Sequence, residues 1–406
     1  MAIFPCGSNN SPFLPVNSSL TIQFKPMRPL LCSLLLAVAA AAVPATRAQN
    51  TNAFELRDGD RVAFIGDTLI EREPSYGHVE YLLTTRWPER HVIFRNLGWS
   101  ADTPAGVSRA GFDPADKGFD RLKEQITAVR PNVVFLGYGM ANSFDGAAGL
   151  AKFSVELNKL IDTINQSAGT NPVRYVLLGP IRHEQLPPPM PDPAKHNEQL
   201  VLYTKALKEI AAARNAHFVP LFELLDNRSL PEPIPPLTDN GIHLTAYGYR
   251  RCAESIAMGL NLEPNNWRVG LTRDGKIREG SGGTKIAEFL KETDRARLVA
   301  TEAMLPNPPW LEKETPLLLN TPENRFQIAG LQPGDYDLKI DGQIMRTVTA
   351  QDCGRSLVID AGPSFAQAEE LRQTILKKNE LFFHRWRPEN HTYIFGFRKQ
   401  IGRAHV

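Results

Sequence analysis

The sequence predicts an α/β fold: an open, five-stranded parallel sheet with helices on both faces, followed by a small antiparallel β module. Three observations predict it. Between residues 60 and 262, five short apolar runs each precede a stretch with helical spacing. That alternation builds a parallel sheet through crossover helices. The runs are continuously apolar, as in strands covered on both faces. After residue 262 the texture turns glycine-rich, charged and alternating, with Asp341-Gly342 between two runs, a strong hairpin signal.

At 406 residues, with 42% hydrophobic and 22% charged, the chain has room for two domains and a sizeable core. Residues 1–48 read as a secretory leader. Arg28 precedes an apolar run over 30–43, and Thr46-Arg47-Ala48 is a small-residue exit. The run is short for a membrane span, so no stable span is expected once the leader is removed. Met27 fits as the start codon, with 1–26 as a prelude. Loss of 1–48 takes away Lys25, Arg28 and Arg47 and no acid, turning the formal charge from +2 to −1. No basic excess points to nucleic acid. Cys252 and Cys353 remain, either paired or as two buried thiols. No Cys/His spacing indicates a metal. Residues 401–406 read as a translated sequencing adapter.

The chain after the leader divides into an α/β domain over 55–262, a linker or helical segment over 263–315, a β module over 316–360, and a helix with an aromatic and basic tail over 366–400. Strands are expected at 62–65, 92–96, 133–136, 175–178 and 218–221. Helices are expected at 76–87, 119–129, 150–164, 197–214 and 245–260, where apolar residues recur every three or four positions. The cluster Leu186 to Pro193, with five prolines, is incompatible with helix or inner strand. It reads as a surface loop and a candidate cleft wall. The final helix is expected at 366–378. His384, Arg385, Trp386 and Arg387 in the tail suit docking through Arg–aromatic stacking, or contacts to a substrate.

Open parallel sheets carry their sites at the carboxyl ends of the strands. Four polar stretches emerge there: Gly66-Asp67-Thr68; Gly98 with Ser100 and Asp102; Gly139 to Ser143; and Asp239-Asn240-Gly241-Ile242-His243. Covalent ester hydrolysis needs a hydroxyl, a histidine to take its proton, a group that orients the histidine, and donors for the oxyanion. Thr68, His243, Asp239 or Asn240, and Gly98 with Asn142 fit these roles in turn. Each also has a plain structural reading, Thr68 as a cap or turn hydroxyl and Gly98 as a turn glycine. Asp67 reads as part of the same block or as a turn former. His183 and Glu184 read as surface residues.

Over residues 60–262 the sequence resembles the SGNH, or GDSL-type, hydrolase superfamily of esterases and lipases. Gly66-Asp67-Thr68 matches its Gly-Asp-Ser nucleophile block, Gly98 its oxyanion glycine, and His243 the histidine of its Asp-x-x-His block. The resemblance implies a flavodoxin-like three-layer α/β/α sandwich. Three departures stand out. Threonine replaces serine. Counting from Gly139, the oxyanion asparagine falls on Ala141, with Asn142 one place late. Counting back from His243, the acid falls on Asn240, with Asp239 one place early. A one-residue bulge would bring Asn142 and Asp239 into place. In a serine protease an Asp-to-Asn change at the orienting position costs about 10⁴-fold in kcat, and losing an oxyanion donor about 10²- to 10³-fold.

Two functions follow. The first is an exported, periplasmic or extracellular carboxylic ester hydrolase without metal or organic cofactor. The resemblance implies a carbohydrate deacetylase, short-chain esterase or lysophospholipase acting on a small-molecule or polysaccharide ester. The second is a catalytically impaired scaffold of the same fold that binds a carbohydrate or acyl ligand.

Overall fold

The structure is a computed structural model that describes residues 17–24, 54–168, 172–228, 234–263, 266–271, 276–280, 284–291, 295–302, 304–309 and 324–387. The chain forms two compact units. The expectations for the leader's apolar run, the last part of the tail and the adapter lie outside the described residues. The first element, β1 (Asn17–Phe24), belongs to the second unit and is described with it.

The first unit spans Phe54–Leu262 and takes in the chain from Glu370 onward. Its strands are β2 (Arg61–Gly66), β3 (Ile93–Asn96), β4 (Val133–Gly137), β5 (Arg174–Leu178) and β6 (His217–Val219). They form one sheet in the order β3-β2-β4-β5-β6, and every pairing is parallel. This is the expected flavodoxin-like order. The continuously apolar strands serve two cores because successive side chains point to opposite faces. Val62, Phe64, Val133, Phe135, Val176 and Leu178 enter one core. Ala63, Ile65, Val134, Leu136, Tyr175 and Leu177 enter the other.

Helices complete both layers. A short α1 (Thr68–Arg72) follows β2, then α2 (His78–Arg86) precedes β3. Next come α3 (Asp116–Val129), the single turn α4 (Met140–Ser143) and α5 (Gly146–Ser167). The rest are α6 (Ala194–Ala213), the short α7 (Leu221–Leu224) and α8 (Ala246–Gly259). On α3, Leu122, Ile126 and Val129 are buried, as their spacing predicts. Thr245 caps α8 by accepting the Gly248 N–H at 3.0 Å. The turn α4 inserts between β4 and α5 where the sequence pattern showed only a polar stretch.

The second unit joins residues up to 53 with Glu263–Pro309 and Asn320–Glu369. Among the described residues of the expected linker or helical segment over 263–315, most are strand: β7 (Arg268–Leu271), β8 (Ile277–Gly280), β9 (Thr284–Lys291) and β10 (Arg295–Glu302). The alternation is visible in β10, where Ala296, Leu298 and Ala300 are buried and Arg297 is exposed. Then follow β11 (Asn324–Ile328), β12 (Asp335–Ile340), β13 (Gln343–Thr349), the helix α9 (Ala350–Arg355) and β14 (Leu357–Ile359). One sheet has the order β13-β12-β1-β10-β9 and is antiparallel throughout; the other runs β14-β11-β7-β8. The module is therefore larger than 316–360 and contains one parallel pair, β7 with β11. The Asp341-Gly342 hairpin forms as expected, both residues having positive φ (48° and 83°). β1 lies between β10 and β12, in a stretch that the sequence reading assigned to the prelude of a leader.

The last helix, α10 (Pro363–Trp386), runs eight residues beyond the expected end at 378. It absorbs the start of the aromatic tail. Cys252 and Cys353 are both buried and both free.

Candidate active site

The site begins at the carboxyl end of β2, where the backbone is tightly packed. A Cβ on Gly66 would lie 2.2 Å from the Gly137 carbonyl oxygen and 2.6 Å from Cγ1 of Ile70. Only glycine lets β2 and β4 close beneath the first turn of α1. Asp67 then caps α1, its Oδ1 accepting the Leu69 N–H at 3.2 Å, while its own N–H donates to the Gly137 carbonyl at 2.9 Å. Its other oxygen, Oδ2, is buried with no hydrogen-bond partner. Burial pushes this carboxyl up to about 7, and the nearby Asp102 acts in the same direction. The N–H groups of Leu69, Ala141 and Met140 pull the other way.

Thr68 is the first residue of α1, and its Oγ1 accepts the Ala101 N–H at 2.9 Å. Ala101 has φ 53°, a left-handed conformation that L residues with a side chain adopt at a cost. This strained backbone turns an N–H towards the threonine oxygen. Gly98 does something else. Its N–H donates to Asn96 Oδ1 at 2.8 Å, and a Cβ there would meet the Glu71 nitrogen at 2.3 Å. The expected oxyanion role of Gly98 is thus corrected: its donor is already used, and its lack of a side chain seats α1 against the β3 loop. The N–H that reaches the candidate nucleophile is that of Ala101, three residues on. Asp102 is sealed in a fully buried ion pair with Arg109 (2.7 Å).

Asn142 lies in α4, whose N-terminal flank, Gly139, has φ 122°. The turn carries the Asn142 side chain into a cleft of about 370 Å³, which Thr68, Ala101, Thr103, Phe144 and His243 also line. The Ala141 position, which strict spacing designates, supplies only backbone. Three buried polar atoms along this cleft have no partner in the protein: Asp67 Oδ2, Thr103 Oγ1 and Asn142 Oδ1. Unpaired buried polar atoms are rare in native proteins, and each calls for a reason.

His243 sits in a loop closed by the Thr238–Leu244 bridge. Glu184 clamps this loop, taking the N–H groups of Leu237 (2.9 Å) and Thr238 (2.7 Å) and the Thr238 hydroxyl (2.5 Å). The expectation that His183 and Glu184 are surface residues is corrected on both counts. His183 is buried and packs against Gly241, and Glu184 is the loop's anchor.

Asn240 and Asp239 separate cleanly. Asn240 Oδ1 accepts the N–H groups of His243 (2.9 Å) and Ile242 (3.2 Å). Its Nδ2 therefore faces His243 Nδ1, at 3.1 Å. An amide NH₂ can only donate there, so neutral His243 holds its proton on Nε2. Asp239 instead pairs with Arg72 at 3.0 Å, with both side chains part-exposed. Burial holds His243 below its usual value and the Arg72 charge adds to this, while Asp239 and Glu71 oppose it. Among the described residues, no side-chain hydrogen bond joins His243 to Thr68 or Asp239. The bulge that would bring Asp239 onto His243 does not form, because Arg72 holds that carboxylate.

The Pro-rich loop does not line the cleft; Pro180 and Ile181, just after β5, do. The tail residues take the docking role. Arg387 stacks on Trp99 (3.6 Å to the ring centroid) and lies 3.4 Å from Glu71, and Trp386 meets Trp99 edge-on. They brace the back of the loop that carries Ala101. Among the described residues, no cluster of three or more His, Cys, Asp or Glu is placed to hold a metal, and no helix is long and apolar enough to cross a membrane.

Residues 63–251 match the GDSL-like lipase/acylhydrolase family. Over these residues the chain is similar to that family. A gut microbial diltiazem-metabolizing enzyme superposes with a TM-score of 0.65 at 19% identity, over 86% of this chain and 84% of that one. That likeness is one of fold. An acetylxylan esterase from Geobacillus stearothermophilus matches 52% of this chain and 98% of its own, with a TM-score of 0.38 and 17% identity. None of the curated proteins is a significant match. Ala101 and Thr103 escaped the sequence reading because an N–H has no sequence signal and a lone threonine a weak one. The polar run Ser100 to Thr103 after β3 was the available hint.

Proposed function

We propose that the chain is an exported hydrolase of acyl or acetyl esters that works through Thr68. The observation that carries this reading is the convergence, in one cleft, of the Thr68 hydroxyl, an Ala101 N–H already aimed at it, Asn142 and His243. In the reaction Thr68 Oγ1 adds to the ester carbonyl and its proton passes to His243 Nε2. The Ala101 N–H and the Asn142 side chain receive the developing oxyanion. The tetrahedral adduct collapses, the alcohol leaves with the proton from His243, and water then releases the acid from Thr68 by the same steps. No metal or organic cofactor takes part.

His243 must first move its proton from Nε2 to Nδ1, against the Asn240 NH₂, and the imidazolium formed has no carboxylate beside it. Turnover is accordingly slow. That same contact favours a second reading, a scaffold that binds an ester or carbohydrate without cleaving it. Hydrolysis of p-nitrophenyl acetate and butyrate by the protein decides between them. The hydrolase reading expects measurable turnover, a gain of about tenfold or more in Thr68→Ser from relief of crowding at Cβ, and loss in His243→Ala. No turnover in either the parent or Thr68→Ser would leave the binding scaffold.

A further inference from the structure

Phe144 follows α4 directly and stands at the rim of the cleft, with 62% of its surface exposed. It is the exposed aromatic among the residues that line this cleft. Its ring is not loose. It stacks on His196 of α6 with centroids 4.0 Å apart and planes 24° from parallel. His196 is held at both nitrogens: Nε2 lies 2.7 Å from Ser143 Oγ, and Nδ1 lies 2.9 Å from His183 Nδ1.

The proton order along this chain follows from its far end. The Ser143 hydroxyl donates to the Met140 carbonyl at 2.7 Å, so its oxygen accepts from His196 Nε2–H. His196 Nδ1 is then bare and accepts from His183 Nδ1–H. Ser143 is fully buried, so it supports and does not react. Two neutral imidazoles and a serine thus fix the plane on which Phe144 rests. The ordering cost of the exposed ring is met within the protein before any ligand arrives.

Beside this flat apolar face the same cleft carries an acid, Asp145, next to Phe144. A flat apolar face beside an acceptor suits a ring with an apolar C–H face and hydroxyl donors at its edge.

We propose that Phe144, held by His196, is the platform on which the alcohol half of the ester, a pyranose ring, stacks, with a ring hydroxyl donated to Asp145. This rests on the reading of the cleft as an ester hydrolase site. Phe144 determines specificity and His196 is a positioning residue.

The test compares partially acetylated methyl β-glucopyranoside with ethyl acetate, which has no ring, by proton release. Phe144→Ala should lower the ratio of their kcat/KM values about three- to tenfold, the scale of an aromatic contact, mainly through KM on the sugar ester. Phe144→Trp should restore it. His196→Ala should move KM on the sugar ester in the same direction while leaving its kcat. In parallel, binding of cellotriose by NMR titration needs no turnover and should weaken in Phe144→Ala. Sugar binding that depends on Phe144 without hydrolysis of either ester would sink the hydrolase and keep the platform. Hydrolysis of ethyl acetate with an unmoved ratio and unmoved or absent sugar binding would overturn the platform. So would a Phe144 dependence found only with phenyl acetate, since the ring would then serve an aryl group.

Discussion

The two sides of the cleft are built in different ways. On the nucleophile side, position comes mainly from backbone: the Gly66–Gly137 approach, the Asp67 N–H bond to the Gly137 carbonyl and the Ala101 N–H. On the histidine side, the loop is equally well anchored, through Glu184, but function hangs on one side-chain choice. Asn240 occupies the place where an acceptor would set the histidine tautomer, and Asp239 is taken by Arg72. The backbone-built part tolerates departures such as Thr68 because the Ala101 N–H does not depend on side-chain identity. A side-chain-built half is altered by a single atom, the nitrogen that replaces an oxygen in Asn240.

The sharpest way to break this contrast is Asn240→Asp. A carboxylate still accepts the Ile242 and His243 N–H groups, and now also accepts Nδ1–H. We expect kcat on p-nitrophenyl acetate to rise by about 10²- to 10⁴-fold, the reverse of the loss seen when a triad aspartate becomes asparagine. An unchanged rate would show that the tautomer does not limit turnover. The nucleophile side is tested by a pair of variants. Asn142→Ala should lower kcat about 10²- to 10³-fold as an oxyanion donor is lost. Gly98→Ala should act on stability instead, by about 1–3 kcal/mol in denaturant unfolding, because its Cβ would collide with the Glu71 backbone. A kcat loss in Gly98→Ala beyond its unfolded fraction would return the oxyanion role to Gly98.

A pH-dependent effect concerns Asp67. Its folded carboxyl titrates near 7, above the unfolded value of 3.8. The folded state therefore holds a proton that the unfolded state has released, and stability falls as pH rises between these values. Below 3.8 and above about 7 this contribution is flat. Asp67→Asn should reduce the slope of stability against pH by at most about 1.4 kcal/mol per unit across that window. Glu73, also raised to about 7 by burial, keeps its own share of the slope in the variant. An identical slope in parent and variant would show that Asp67 is ionised on folding.

Much of the fold was legible in local pattern. The runs 62–65, 133–136 and 175–178 became β2, β4 and β5 because a strand buried on both faces must be apolar at every position. The β7–β10 region was not legible as strand. Its alternation, as in Ala296, Leu298 and Ala300, is short and interrupted by glycine and charge, and its pairing partners lie far along the chain. The Glu184 clamp was hidden for a related reason: its partner Leu237 is 53 residues away, and nothing local distinguishes it from a surface acid.

By itself the sequence determined the alternation of the five parallel strands with their main helices between residues 60 and 262, the family block at Gly66-Asp67-Thr68, and the edge of the sheet where the chemistry must gather. Those depend on periodicity and residue type, which are local. Only the tertiary structure decided which donors and acceptors meet. It gave the Gly98 N–H to Asn96 and the Ala101 N–H to Thr68, sent Asp239 to Arg72, and left Asn240 facing His243. Hydrogen bonds act over about 3 Å and depend on angle, so a loop that shifts register by one residue changes partners while its sequence stays the same.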